Sequence, residues 1–165
     1  METVMAESKQ AEKNPQFRVV SQYIQDLSFE CPLAPAFVTS SKQDLGLQVM
    51  VQARELGDDN HEVLIKLRGE SKGDKEPTIF MIEVAYAGVF MLKDIPDAQK
   101  GPLLGIEAPA LLFPFARQIM MSNIAAAGFR APTIEPINFH GLYMQQQQQA
   151  AAAAKPEAGK KAAAK

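Results

Sequence analysis

Of 165 residues only one is cysteine, Cys31, two are histidine and none is tryptophan. A single thiol excludes an intrachain disulfide framework and fits a reducing compartment. His61 and His140 have no Cys or His at metal-ligand spacing, so both are expected to be surface or capping groups. Cys31 has no adjacent His or basic residue to activate it and reads as a small side chain before a proline. The chain has no G-x-G-x-x-G, no P-loop and no G-x-S-x-G elbow. Asp58, Asp59, Asp74 and Glu76 fall in turn sequences, where solvation accounts for them better than acid–base chemistry does. The sequence therefore argues against an enzyme and calls for no metal or cofactor.

Positive charge is also scarce in the body of the chain. The net charge is −2, and the stretch Gln145 to Lys165 holds four Lys against one Glu, which leaves Met1 to Met144 near −5. A body that acidic, with no basic cluster interleaved with aromatics, excludes a phosphate-binding nucleic-acid surface. Met1 to Asn14 is polar and has no apolar h-region of a secretory signal. No run approaches the ~18–20 apolar residues of a membrane-spanning helix. The expectation is a soluble, cytosolic protein.

What the sequence does contain is alternation, and then a change of period. From Phe17 to Glu30 the pattern puts Phe17, Val19, Ser21, Tyr23, Gln25, Leu27 and Phe29 on one strand face, with Asp26 and Glu30 on the other. Pro32 and Pro35 break the ladder and open a crossover loop that holds Phe37 and Val38. Leu45, Leu47, Val49, Val51 and Ala53 form the apolar face of a second strand. Gly57-Asp58-Asp59-Asn60 predicts a hairpin turn. Val63, Ile65 and Leu67 line the third strand. Phe80, Ile82, Val84, Tyr86 and Phe90 line the fourth, Thr78 to Phe90, with Met81 and Glu83 on its opposite face.

From Asp94 onward Pro96, Gly101, Pro102, Gly105 and Pro109 predict a connector with one short helical turn. Leu111 to Ala127 then predicts a helix with Pro114 in its first turn and Gly128 just past its end. Its apolar arc spans two stripes, one through Phe113, Ala116, Met120 and Ile124 and one through Leu112, Phe115 and Ile119, so it should meet more than one apolar surface. Asn138 caps a last helix from Phe139 to about Gln149. The expected fold is α+β, a four-stranded antiparallel sheet with helices on one face. Strands two to four form a meander, and the first strand, set apart by the crossover, need not lie beside the second. Residues 1–15 read as a mobile arm, 16–147 as the folded domain and 148–165 as a disordered low-complexity Ala/Lys tail.

Two features exceed what one small core requires. Phe37 and Val38 in a loop, and Phe139, Leu142 and Met144 in a terminal helix, add to the broad helix arc as apolar groups in need of cover. The outward sheet face carries Asp26 and Glu30, about 13 Å apart on one strand, with Glu83 and Met81 on another. An apolar surface for unfolded chain accounts for the first feature. A closed pocket for a small apolar ligand or lipid is the alternative.

The segments Asp26-Leu27-Ser28-Phe29-Glu30, Cys31-Pro32-Leu33-Ala34-Pro35, Phe80-Met81-Ile82-Glu83-Val84, Leu112-Phe113-Pro114-Phe115-Ala116-Arg117 and Pro136-Ile137-Asn138-Phe139 resemble, in order and spacing, the signature of the SecB protein-export chaperones. The resemblance runs from about Phe17 to Gln147. It implies a homotetramer, built as a dimer of dimers, that acts as an ATP-independent holdase. Such a protein binds unfolded secretory precursors and delivers them to the SecA motor. It implies that the zinc-bearing C-terminal segment of SecA is received at Asp26, Glu30, Met81 and Glu83. It further implies client grooves walled by Phe37, Val38, Leu45, Leu47, Phe113, Phe115, Phe139 and Leu142. The family's terminal helix and tail also touch SecA. Here the tail is lysine-rich where many relatives are acidic. A related role, guarding another cytosolic protein such as an antitoxin, is compatible with the same motifs.

Overall fold

The computed structural model describes residues 14–34, 44–72 and 77–153. Four strands run along the chain, β1 (Gln16–Glu30), β2 (Asp44–Gly57), β3 (Asn60–Lys72) and β4 (Thr78–Lys93). They form one antiparallel sheet in the order β1-β4-β3-β2. The meander of β2 to β4 and the displacement of β1 across the sheet both follow the expectation from sequence. The β2–β3 turn places Asp58 and Asp59 at φ 52° and 60° between Gly57 and Asn60. Two consecutive positive φ values are the primed turn whose twist matches a hairpin, and Asp tolerates that region better than most residues.

One face of the sheet is the core. Val63, Ile65 and Leu67 of β3 and Phe80, Ile82, Val84, Phe90 and Leu92 of β4 are almost wholly buried there. The half-buried Leu45, Leu47, Val49 and Val51 of β2 extend the layer to the sheet edge. The covering element is helical, α1 (Asp97–Pro102), a π-helical turn (Leu103–Glu107) and α2 (Ala108–Ala126), continuous over 30 residues. Leu112, Ala116, Met120 and Ile124 of α2 are fully buried against β3 and β4. Its length and apolar composition would also suit a membrane span, but this buried stripe makes it a core helix. Gly88 permits the close approach, since a Cβ there would sit 2.8 Å from Leu112 Cδ2.

The connector expected from Asp94, with one short helical turn, is therefore helical throughout from Asp97. Pro102 keeps helical angles, φ −59° and ψ −40°, and the chain then widens by one residue so that the Ala108 N–H reaches the Leu103 carbonyl. A π-type turn accommodates prolines that cannot join a regular ladder. With the helix starting earlier, Pro114 lies in the interior of α2 and not in its first turn. The Ala110 carbonyl that it leaves without a ladder donor is on an exposed residue, open to solvent.

Both predicted caps form. Gly128 has φ 88°, Phe129 N–H donates to the Ile124 carbonyl and Gly128 N–H to that of Ala125. This pair of bonds is a Schellman closure. The Asn138 side chain accepts from Gly141 N–H at 2.9 Å and starts α3 (Phe139–Ala153). Alanine and glutamine sustain helix, and α3 continues past the expected end near Gln149. The first six residues set aside as disordered tail, 148–153, are thus helical.

Candidate functional site

β1 departs from simple alternation. Register shifts fall between Val19 and Ser21 and between Ile24 and Asp26, so Val20 and Gln25 are bulge residues. The first bulge inverts which face each side chain meets and the second restores it. Phe17, Val19, Leu27 and Phe29 keep the core side, opposite Leu92, Phe90, Val84 and Ile82. Between the bulges Gln22 and Ile24 take that side, and Ser21 and Tyr23 turn outward, contrary to the simple alternating pattern. The Tyr86 hydroxyl, on the core side, donates to Gln22 Oε1 at 3.2 Å.

The outward Tyr23 lies opposite Ala87 and reaches across it to donate to the Glu62 carboxylate on β3. Arg54 of β2 donates to the same carboxylate at 2.5 and 3.0 Å. One buried glutamate, 5% exposed, therefore ties three strands together. The Arg54 hydrogen bond, and secondarily that of Tyr23, holds the Glu62 carboxyl below its ordinary range. Donation to Glu62 raises the Tyr23 phenol. A depressed folded-state pKa stabilises above the unfolded value and is lost as pH falls through the folded one. The network should therefore weaken as pH drops below the usual glutamate value of 4.5. Urea titrations of Glu62→Gln between about pH 3 and pH 6 are expected to show a shallower fall of stability with acid than the parent. Superimposable slopes would contradict this role.

The four candidate partner residues converge on the other end of the same outer face. Glu30 is directly opposite Met81, Ser28 is opposite Glu83 and Asp26 is opposite Ala85. Directly opposed residues are about 4.5–5.5 Å apart at Cβ, so the four share one patch across β1 and β4. Asp26 and Glu30 are exposed, and Met81 and Glu83 are half-buried. Asp26 and Glu30 have no ion pair among the described residues. Glu83 is paired with Lys66 of β3 at 2.7 Å, with Arg68 opposite it. Sequence reading did not place these cations beside the acids, because strand pairing that crosses the β3–β4 turn decides it.

The candidate groove residues divide. Phe37 and Val38 lie outside the described residues. Leu45 and Leu47 sit half-buried on the core side of β2, which packs against the π-helical turn. Phe113 and Phe139, expected as groove walls, are each only 6% exposed and belong to the core, because they cover one another; they meet edge to face, 5.8 Å between centroids, with Arg117 over the Phe113 ring and Leu142 half-buried on α3. Phe115 points elsewhere. It stacks on Tyr86 at 6.1 Å and is 50% exposed, as Leu111 one turn earlier is 46% exposed. The structure thus brings Phe113 and Phe139 together in the core, sets α3 with Leu142 against the π-helical turn and places Phe115 on Tyr86 of β4. Tyr143, not singled out from sequence, seats α3 against Gly101 and Gly105.

A carrier of a small apolar ligand would need an enclosed apolar cavity. Among the described residues, two recesses of about 420 and 590 Å³ both lie open on the outer sheet face, walled by Gln25, Gln52, Arg54, Glu62 and Lys66 among others. Neither is the enclosed cavity that such a ligand needs. Among the described residues no group of three or more His, Cys, Asp or Glu is arranged to hold a metal ion.

Comparison with known proteins agrees with this fold. The family model described as preprotein translocase subunit SecB matches residues 10–150. The protein-export protein SecB of Sphingopyxis alaskensis is 44% identical over 133 residues, 80% of this chain and 77% of the relative. That of Afipia carboxidovorans is 39% identical over 147 residues, 88% and 91% of the two chains. Among solved structures, a SecB-like chaperone of Mycobacterium tuberculosis in complex with a ChAD peptide from the HigA1 antitoxin aligns with TM-score 0.56. It shares 13% identity and covers 73% of this chain and 90% of its own. At that identity the likeness concerns the fold.

Proposed function

The chain belongs to the SecB family of protein-export chaperones, and from that premise we propose that it holds unfolded secretory precursors in the cytoplasm, without ATP, and passes them to SecA. The observation that carries this reading is the family match over nearly the whole folded body. Leu111, Phe115 and Met144, left exposed beside a filled core, support it.

Holding requires affinity without sequence readout. Apolar burial is nondirectional and contributes roughly 25 cal/mol per Å², so ~600 Å² of client contact yields about 15 kcal/mol gross. Ordering the client opposes this at ~1–2 kcal/mol per backbone residue. The net per site is small, and linked grooves on one assembly raise it by avidity. Folded proteins escape because their apolar segments are already buried. Of the groove candidates within the described residues, Leu45, Leu47 and Leu142 are half-buried and Phe115 is exposed, while Phe113 and Phe139 lie in the core behind them. Phe37, Val38 and Phe115 remain assigned on the family resemblance.

A homotetramer, a dimer of dimers, fits the remaining exposure. β1 is a sheet edge carrying Val20 at 52% and Ile24 at 48% exposure, and α2 presents Leu111 and Phe115 nearby in the fold. Exposed edges and apolar stripes of this kind invite a second copy. Asp26, Glu30, Met81 and Glu83 form the surface proposed for the C-terminal segment of SecA. No catalytic step is required, since transfer to SecA releases the client.

A slow-folding secretory precursor diluted from denaturant, with the protein at one tetramer per precursor, is expected to show suppressed light scattering without nucleotide. Unchanged aggregation at that ratio would remove the proposal.

A further inference from the structure

The acidic patch continues into a trough toward β2. On the outer face β4 carries Ala85 and Ala87, 5% and 0% exposed. The flanking strands carry longer side chains, Tyr23 and Asp26 on β1 and Leu64 and Lys66 on β3. Tyr23 crosses over Ala87 to Glu62, but the Ala85 methyl between longer neighbours leaves a depression of about 590 Å³ that reaches from Asp26 and Glu83 over Ala85 and Leu64 to Met50. Met50 is 51% exposed on the edge strand.

We infer that this trough is a second subsite of the proposed partner surface, taking an apolar side chain of an extended peptide whose basic residues lie on Asp26 and Glu30. The inference rests on the acidic-face reading. Asp26 and Glu30 form no ion pair among the described residues, so both carboxylates are free for cations of the partner. Asp26 lines the trough as well as the acidic patch, which makes the two continuous. Gln25, Gln48 and Gln52 stand along the walls, and a primary amide offers both donor and acceptor to an extended backbone. Lys66, fixed by Glu83, and Arg68 line the side away from β1. A second cation placed there would be repelled, so the peptide's basic residues belong on the β1 side and its apolar residue over Ala85 and Leu64. Such repulsion sets direction as well as partner. An unfolded client, whose useful groups are apolar, has little to gain on so charged a face.

The test is calorimetry of the full chain with zinc-loaded C-terminal peptide of SecA, comparing Met50→Glu, Leu64→Gln and Glu30→Lys. Each of the first two is expected to weaken binding about 10-fold, the scale of one lost apolar contact, with precursor holding unchanged. Met50 is on an exposed edge, so that variant keeps the test decisive if Leu64→Gln folds poorly. Weakening by Glu30→Lys without weakening by Met50→Glu would overturn the subsite and leave the acidic face standing. No weakening by any of the three would overturn both.

Discussion

Reversing the charge at Glu83 should weaken the SecA C-terminal segment by about 3 kcal/mol, ~100-fold in Kd, while precursor holding is retained. The side chain is 26% exposed and its carboxylate lies 2.7 Å from Lys66. Glu83→Lys therefore removes an acceptor from the centre of the patch and places two cations side by side. Part of any loss could come from that local repulsion, so the informative companion is the swap Glu83→Lys with Lys66→Glu. The swap restores an ion pair within the sheet but moves the negative charge from β4 to β3, away from Glu30 and Met81. Affinity should remain low in the swap, while thermal stability returns toward the parent. Unchanged SecA affinity in either variant would count against the assignment of this face. Client holding serves as the control, because the groove candidates lie on the helical side of the sheet.

The second large effect concerns α3. A Cβ on Gly105 would fall 2.7 Å from Tyr143 Cε2, and one on Gly101 2.7 Å from the Tyr143 hydroxyl oxygen. The two glycines stand one helical turn apart and together form the notch that receives the ring. A planar ring held at both ends cannot slide aside, so Gly105→Ala should lift α3 from its seat. The cost of such overpacking is about 1–3 kcal/mol. The main neighbour of α3 is the π-helical turn, so amide protection should fall along α3 and persist in the sheet. Combining Gly105→Ala with Tyr143→Ala should be strongly non-additive, because the second change removes the group that the first collides with. Parent-like protection of α3 in Gly105→Ala would refute the notch.

Much of this was readable from local pattern. Period-two alternation gave the correct faces for β2, β3 and β4, because both neighbours of each residue in a strand are set by the pleat. Gly57-Asp58-Asp59-Asn60, Gly128 and Asn138 marked their turn and caps, because each needs only a positive φ or a side-chain acceptor within a few residues. The separated motifs from Asp26 to Phe139 were enough to identify the family, and the four acidic-face candidates do share one patch.

β1 and the segment from Asp97 to Glu107 show where local pattern stopped being sufficient. The bulges at Val20 and Gln25 depend on which β4 residues lie opposite, and β4 is some sixty residues away in the chain. Pro102 and Pro109 argued for a connector with one short helical turn, yet the sheet's apolar face rewards a continuous cover, and a π-helical turn absorbs the prolines at little cost. The sequence by itself determined the strands, the apolar faces of β2 to β4, the caps and the family. Only the tertiary structure decided that Lys66 neutralises Glu83, that Tyr23 and Arg54 share Glu62, and that Tyr143 fills the Gly101–Gly105 notch. Each of these contacts joins elements distant in sequence, and its geometry is set by strand register and helix docking, which local pattern does not encode.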